Sequence, residues 1–563
     1  MTNNTSSLPD RWFYALASAG VLLNATGLFP PILEPDGALY ASIAKTMAQS
    51  GDFVNLYAVG SDWLDKPHFP FWVAAISFRI FGISTFAYKF PALLFFLAGV
   101  VYTYRFARLM YPKLVAQVAA LVLLTAFHGV LSNSDVRAEP YLTGLIIGAV
   151  YHFWRVFTKG GLLHLLLGSL LTGCALMTKG VFVLVPIGAG LVLHWLITGH
   201  WRELLKPRWY AAVALSFLFA LPEVYALYQQ FDLHPEKVIF GKTGVSGVKF
   251  FFWDSQFGRF FNTGPIKGEG DKYFFLHTLL WAFLPWSLPL YAGVAESIYG
   301  LVKRRNLLPE YVSLGSGLAT FGLFSLSGFQ LPHYMNIVFP FFAIITAQFL
   351  IDLSSPVLQR WVAGQRVLGV LIIVLTIVPV VLVRPYGATL AVYLIEVMLI
   401  SIAMLLQNRG LLISLTGWMV GTMLILFVSL NLFLYPVWLQ YMAGRTAALA
   451  INAQSGPAKK TLLYMPGTGV GGGSFWSYEF YASGPTRYVR SDSTMRAAVS
   501  TRPQLTFTSA AYADSLRNKG FSVRRLATFP YYHVSTLSYE FLNANTRAKT
   551  LEPYVLAEVS GPE

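Results

Sequence analysis

The stretch Phe69-Pro-Phe-Trp-Val-Ala-Ala-Ile-Ser-Phe-Arg-Ile-Phe-Gly-Ile83 decides the topology of this chain. It is apolar, but at about 15 residues it falls short of the roughly 20 that a helix needs to cross a bilayer. It also carries Pro70 and Arg79. Read as a helix lying at the membrane surface, with Phe69, Trp72, Phe78 and Phe81 in lipid or against a helix bundle, it leaves about thirteen long apolar runs as spans. These runs cover 12–30, 86–108, 114–131, 141–158, 163–178, 180–198, 209–228, 273–298, 311–328, 334–352, 367–383, 387–405 and 411–434. Threading them in order gathers Arg11, Arg105, Arg108, Lys113, Arg155, Lys159, Arg202, Lys206, Arg208, Lys303, Arg304, Arg305, Arg360, Arg366 and Arg409 on one face. Short loops rich in Lys and Arg stay cytoplasmic. Counting 69–83 as a span would send the later clusters outward. The opposite face therefore looks out of the cell and carries the connections 31–85 and 229–272 and the C-terminal segment.

Composition agrees with a membrane class. Of 563 residues 55% are hydrophobic and only 12% charged, and the mean hydropathy is +0.55. Every backbone polar group in lipid must be satisfied internally, and runs of this length do so as helices rather than as a barrel. The net charge of +15 is mostly topological and is no argument for a nucleic-acid partner. A smaller basic excess lies outward, at Lys237, Lys242, Lys249, Arg259, Lys267 and Lys272, and suits either a phosphate-bearing partner or lipid headgroups. The lone Cys174, in an apolar run, excludes an internal disulfide. The N-terminal apolar run lacks a strongly basic start and a clear cleavage site, so it reads as a retained first span.

From about residue 437 the long apolar runs cease. Short strand-like segments at 461–465, 486–489 and 505–508 alternate with turns, which predicts a small soluble α/β domain over 437–563 after a membrane domain over 1–436. The segment Gly467-Thr-Gly-Val-Gly-Gly-Gly-Ser474 lacks the Gly-Lys-Ser/Thr ending of a phosphate loop and reads as a flexible connection.

Chemistry-bearing residues collect at the outward boundary. After the first span, Tyr40, Ile43, Ala44 and Met47 share one face of a short helix, with Lys45 on another and Asp36 placed to cap its start. Asp65-Lys66-Pro67-His68, Asp135-Val136-Arg137-Ala138-Glu139-Pro140, Lys179-Gly180 and Leu331-Pro332-His333-Tyr334 fall at the same level. Each admits a plain structural role: Asp36 caps, Arg137 pairs with Asp135 or Glu139, Lys179 snorkels. Ionisable groups at membrane depth are costly, and several on one face point to a functional site.

Residues 36–52 (DGALYASIAKTMAQSGD), Asp65-Lys66-Pro67, Thr178-Lys179-Gly180, Phe283-Leu284-Pro285-Trp286 and Leu331-Pro332-x-Tyr334 resemble landmarks of the bacterial aminoarabinose transferases of lipid A. These group with the protein O-mannosyltransferases in the glycosyltransferase-C superfamily. The segment Phe480-Tyr481-Ala-Ser-Gly-Pro-Thr-Arg487 is similar to that family's periplasmic domain. The resemblance implies an all-α polytopic membrane protein with about thirteen spans and a small C-terminal α/β periplasmic domain, in the bacterial inner membrane with the N-terminus cytoplasmic. It implies an inverting transferase that takes a sugar, 4-amino-4-deoxy-L-arabinose, from undecaprenyl phosphate to lipid A. Residue by residue, Asp36 matches the essential acidic position, Tyr40 the aromatic one turn later and Lys66 the basic residue of a Glu-Lys-Pro motif that here begins with Asp65. Glu139 matches a second acidic position that is Asp in the aminoarabinose transferases, and Tyr334 a tyrosine of the carrier-phosphate pocket. The chain departs from the pattern at Gly37, where Glu is frequent, and at Leu39, where Arg is common. Lys66 and Lys179, with Arg137 or Arg259 in reserve, then supply the positive field.

Cations around the leaving phosphate would stabilise the charge that develops there. Asp36, then Glu139, would serve as base for a hydroxyl acceptor. For a phosphate acceptor the carboxylates would orient substrates or bind an amino-sugar cation. Asp65, His68, His277 and His333 are residue types that bind divalent ions, but their spacing matches no metal motif, so no cofactor is expected to be required. Two alternatives stay open: the same donor with a protein or polysaccharide acceptor, and a flippase for a lipid-linked sugar.

Overall fold

The computed structural model describes residues 8–304, 308–383, 393–394, 397–398, 400–401, 410–454, 459–466 and 473–562. Most of the expected run 387–405, the loop residues Arg305 and Arg409, and residues 467–472 of the glycine-rich segment lie outside the described residues.

The first half runs α1 (Asp10–Ala25), α2 (Asp36–Ser50), a hairpin of β1 (Tyr57–Ala58) and β2 (Ser61–Asp62), then α3 (Phe69–Phe81) and α4 (Thr85–Met110). It continues through α5 (Lys113–Thr125), α6 (Phe127–Ser134), α7 (Glu139–Lys159), α8 (Leu162–Lys179), α9 (Leu184–Ile197), α10 (Pro207–Phe219) and α11 (Leu221–Leu227). At 1.5 Å per residue α3 is roughly 20 Å long, too short for a hydrocarbon core of about 30 Å. It buries Phe71, Ala74, Ala75 and Phe78 and leaves Ile76, Ile80 and Phe81 exposed. Serine 84 starts α4 by accepting a hydrogen bond from the Ala87 amide at 3.2 Å, which separates α3 from the following span. Helices α4 and α7 pack so closely that a Cβ on Gly144 would lie 2.2 Å from the Phe95 carbonyl oxygen, an approach that small residues permit between membrane helices.

Among the described residues, six helices are long and apolar enough to cross a membrane: Thr85–Met110, Leu162–Lys179, Pro207–Asp232, Pro332–Asp352, Ser355–Val383 and Leu411–Tyr441. The pair α5 and α6, bent by 51° at Ala126, makes a seventh if it is one span. Several expected runs fold as shorter pieces. The run 273–298 divides into Phe274–Ala282 and Ser287–Lys303 at Phe283-Leu284-Pro285-Trp286, where Trp286 turns inward and donates to Thr125 Oγ1 at 2.9 Å.

Beyond the helix Ala443–Asn452 the chain builds a five-stranded sheet in the order β4-β3-β5-β7-β6, from β3 (Thr461–Tyr464), β4 (Thr486–Val489), β5 (Gln504–Ser509), β6 (Phe521–Tyr531) and β7 (Glu552–Pro562). Strands β4 and β5 pair parallel with β3, and β7 pairs antiparallel with β5 and β6. All four residues of β3 are buried because both sheet faces are covered, as parallel strands require. The helix Gly473–Tyr481 lies against α2, so Trp476 and Phe480 join the core of the helical part.

Candidate active site

Several segments distant in sequence converge on one cavity of about 150 Å³. Asp36, Tyr40, Lys66, Arg137, Glu139, Lys179, Arg259 and Tyr334 all line it, so every residue singled out as catalytic or substrate-binding is brought to one place. Of the residues considered for a metal, Asp65 and His333 line the cavity, while His68 and His277 do not. Among the described residues no group of three or more His, Cys, Asp or Glu could hold a metal ion.

Asp36 begins α2, yet it does not cap it: Pro35 holds the cap position and no side-chain cap bond forms. The carboxylate turns instead to Arg137, whose Nη1 donates to Oδ2 at 2.7 Å, while the same guanidinium donates to Asp135 at 3.2 Å. Arg137 therefore pairs with Asp135 and Asp36, not with Glu139. One turn on, Tyr40 packs edge-on against Phe71, and burial, followed by the charges of Asp36 and Asp65, drives its phenol well above the ordinary range.

The second cluster joins Asp65 to two cations. Lys66 Nζ lies 2.9 Å from Asp65 Oδ2, and Arg259 donates to Oδ1. Burial pushes the Asp65 carboxyl up, but the adjacent ammonium and guanidinium outweigh it and hold the group below the usual carboxylate range. The third cluster is Glu139, which is 1% exposed, with Lys179 donating to Oε1 and His333 Nε2 3.9 Å away. Lys179 Nζ also stands 3.9 Å over the ring of Tyr334, so it pairs rather than only snorkels. Among the described residues the second carboxylate oxygen of Glu139 has no hydrogen-bond partner.

The Thr178-Lys179-Gly180 sequence has a steric reason. Gly180 has φ +85°, and a Cβ there would come within 2.4 Å of the Gln256 amide, another lining residue. Gln256 was not distinguishable in the sequence, being one polar residue in the long connection 229–272. Glu223, an acidic residue inside the apolar run 209–228, carries a signal of its own in the sequence.

Each cation thus already holds a carboxylate. Lys66 and Lys179, with side chains 33% and 28% exposed, are the cations most open to an entering anion, and the less exposed Arg137 and Arg259 also line the cavity. Buried carboxylates hold cations in fixed positions, and such preorganised charge is what a developing oxyanion requires.

Residues 65–225 match the dolichyl-phosphate-mannose-protein mannosyltransferase family. The chain is 28% identical over 333 residues to an undecaprenyl phosphate-alpha-4-amino-4-deoxy-L-arabinose arabinosyl transferase of Edwardsiella ictaluri, covering 57% of this chain and 56% of the relative. It is 26% identical over 330 residues to the transferase of the same name from Pseudomonas aeruginosa, covering 56% of each. The aligned parts thus span a little over half the length of these relatives. In three dimensions the chain is similar to ArnT from Cupriavidus metallidurans bound to undecaprenyl phosphate, with a TM-score of 0.73, 18% identity, and 99% of this chain and 100% of that one covered. The chain is therefore similar over a little more than half its length to undecaprenyl phosphate-alpha-4-amino-4-deoxy-L-arabinose arabinosyl transferases, carries a mannosyltransferase-like segment at 65–225, and has the fold of ArnT along nearly its whole length.

Proposed function

We propose that this protein is an inverting membrane glycosyltransferase that moves 4-amino-4-deoxy-L-arabinose from undecaprenyl phosphate to a phosphate of lipid A, at the periplasmic face of the bacterial inner membrane. The observation that carries the reading is the single cavity into which Asp36, Lys66, Glu139, Lys179, Arg259 and Tyr334 converge. Support comes from relatives named for an arabinosyl transfer from undecaprenyl phosphate and from a similar fold that holds undecaprenyl phosphate. The charge asymmetry of the loops supports about thirteen spans and a periplasmic soluble domain over 437–563.

In this mechanism the bond between the anomeric carbon and the carrier phosphate breaks as the acceptor oxygen attacks from the opposite side, which inverts the anomeric centre. The leaving phosphate takes up the electron pair. Lys66, Lys179 and Arg259 stabilise its growing charge, and the hydroxyl of Tyr334 donates to it. A lipid A phosphate is largely ionised near neutrality and needs no base. Asp36 and Glu139 then bind the ammonium and hydroxyls of the sugar and fix the anomeric carbon in line. No cofactor is needed for this displacement.

The test is mass spectrometry of lipid A from cells with and without the gene, beside cells carrying Asp36→Asn. An aminoarabinose adduct that disappears with both changes supports the reading. Lipid A that is unmodified in cells making both protein and donor overturns that acceptor and turns the search to envelope polysaccharide and secreted protein.

A further inference from the structure

We propose that Glu223 and His68 form a clamp that positions Lys66 for the carrier phosphate, an inference that rests on the donor assignment above. Both side chains are fully buried, and neither lines the cavity. Glu223 sits in α11, within the span Pro207–Asp232, and commits both carboxylate oxygens to the residue two places after Lys66. Its Oε2 accepts from the His68 backbone amide at 2.9 Å, and its Oε1 lies 3.0 Å from the ring Nδ1. The other ring nitrogen, Nε2, lies 2.9 Å from the Val54 carbonyl oxygen. A carbonyl only accepts, so Nε2 carries hydrogen and donates to Val54.

The imidazole thus bridges two segments that otherwise lack regular structure, and Trp72 covers it at 5.3 Å between ring centroids. Seven residues on from Glu223, Gln230 makes a second attachment: its amide oxygen accepts from the Leu56 amide at 2.9 Å and its nitrogen donates to the Leu56 carbonyl at 2.8 Å. One helical element therefore grips the loop 54–68 at both ends. Between the grips lies the hairpin, and at their edge the short turn Asp65-Lys66-Pro67, which has no secondary structure to hold it. Asp65 fixes Lys66 only from within the cavity, where the arriving phosphate competes for both Lys66 and Arg259. The clamp supplies an anchor outside that competition. A misplacement of about 1 Å at a reacting centre can cost roughly 100-fold, so an anchor of this kind has a functional consequence apart from stability.

The experiment measures binding of undecaprenyl phosphate to the full-length protein in detergent, for wild type, Glu223→Gln, Glu223→Ala, His68→Gln, Lys66→Met and the double variants with Lys66→Met. Gln at 223 can accept from the His68 amide and donate to Nδ1, so Glu223→Gln is expected to bind within about threefold of wild type. Glu223→Ala and His68→Gln are expected to weaken binding by about 10- to 100-fold. Each is expected to add little once Lys66 is already Met, because the clamp acts through that side chain. His68→Gln keeps the backbone contact to Glu223 and the bond to Val54, and carries the same comparison if Glu223→Ala does not fold. Wild-type affinity in His68→Gln, or full additivity with Lys66→Met, overturns the clamp. Failure of the wild-type chain to bind undecaprenyl phosphate overturns the donor assignment and the clamp together.

Discussion

Asp36 shows how little of a residue's role is set by its position on a helix. At the first turn of α2 its charge suits the helix dipole, yet the carboxylate leaves the backbone amides and binds Arg137 across the cavity. Replacing it by Asn keeps the size and removes the charge, so Asp36→Asn is expected to lower transfer by about 10²- to 10⁴-fold in purified, folded protein. Turnover near the wild-type rate would remove Asp36 from the mechanism. Gly180 is constrained differently. Its positive φ strains any other residue, and a Cβ there would lie 2.4 Å from the Gln256 amide, which would have to shift. Gly180→Val should destabilise the protein by about 1–3 kcal/mol through backbone strain and crowding. Thermal unfolding in detergent checks this, and an unchanged midpoint would mean that Gln256 moves aside freely.

The decisive pairing of elements is α2 with the helix Gly473–Tyr481. Lys45 of α2 is buried and donates to the carbonyls of Glu479, Phe480 and Ala482 at 2.8, 3.0 and 2.6 Å, so it closes the C-terminal end of that helix. Ser42 donates to the Trp476 carbonyl, and the Tyr481 hydroxyl accepts from the Ile32 amide at 2.9 Å. Glu34, two residues before Asp36, accepts from Ser477 in the same contact. Burial raises the Glu34 carboxyl to about 7, with the Ser477 bond opposing. The folded chain thus holds this proton more tightly than the unfolded chain between about pH 4.5 and 7. The contribution is fully present below about 4.5 and falls as pH rises through 7, by on the order of 3 kcal/mol at most. The unfolding midpoint should therefore decline over that interval, and Glu34→Gln should flatten the decline. An identical pH profile in the two proteins would show that Glu34 does not titrate in this range.

At the scale of the whole molecule the basic loops carry an expectation of which face looks inward. Arg202 and Lys267 are both exposed, one beside the cluster in which Glu203 pairs with Lys206 and Arg208, the other in the long connection 229–272. With the single Cys174 replaced by Ala, a membrane-impermeant thiol reagent should label Lys267→Cys in intact cells with a permeabilised outer envelope. It should label Arg202→Cys only after the inner membrane is broken. Labelling of both, or of Arg202→Cys alone, would reverse the topology on which the periplasmic site depends.

Much of this was legible in the chain itself. Long apolar runs, the shortness of 69–83 and the side on which Lys and Arg fall are one-dimensional quantities, and lipid acts on them directly because it penalises unpaired backbone and translocated charge. The residue types at the outward boundary were legible for the same reason: charge at membrane depth is too costly to be incidental. Partnerships were not. Arg137 reaches Asp36 across about a hundred positions, Arg259 reaches Asp65 across nearly two hundred, and Glu223 meets His68 from within an apolar helix. Sequence spacing carries no record of such contacts. The packing of α2, α7, α8 and the helical segment 247–260 brings them together, and only that packing decided which carboxylate holds which cation.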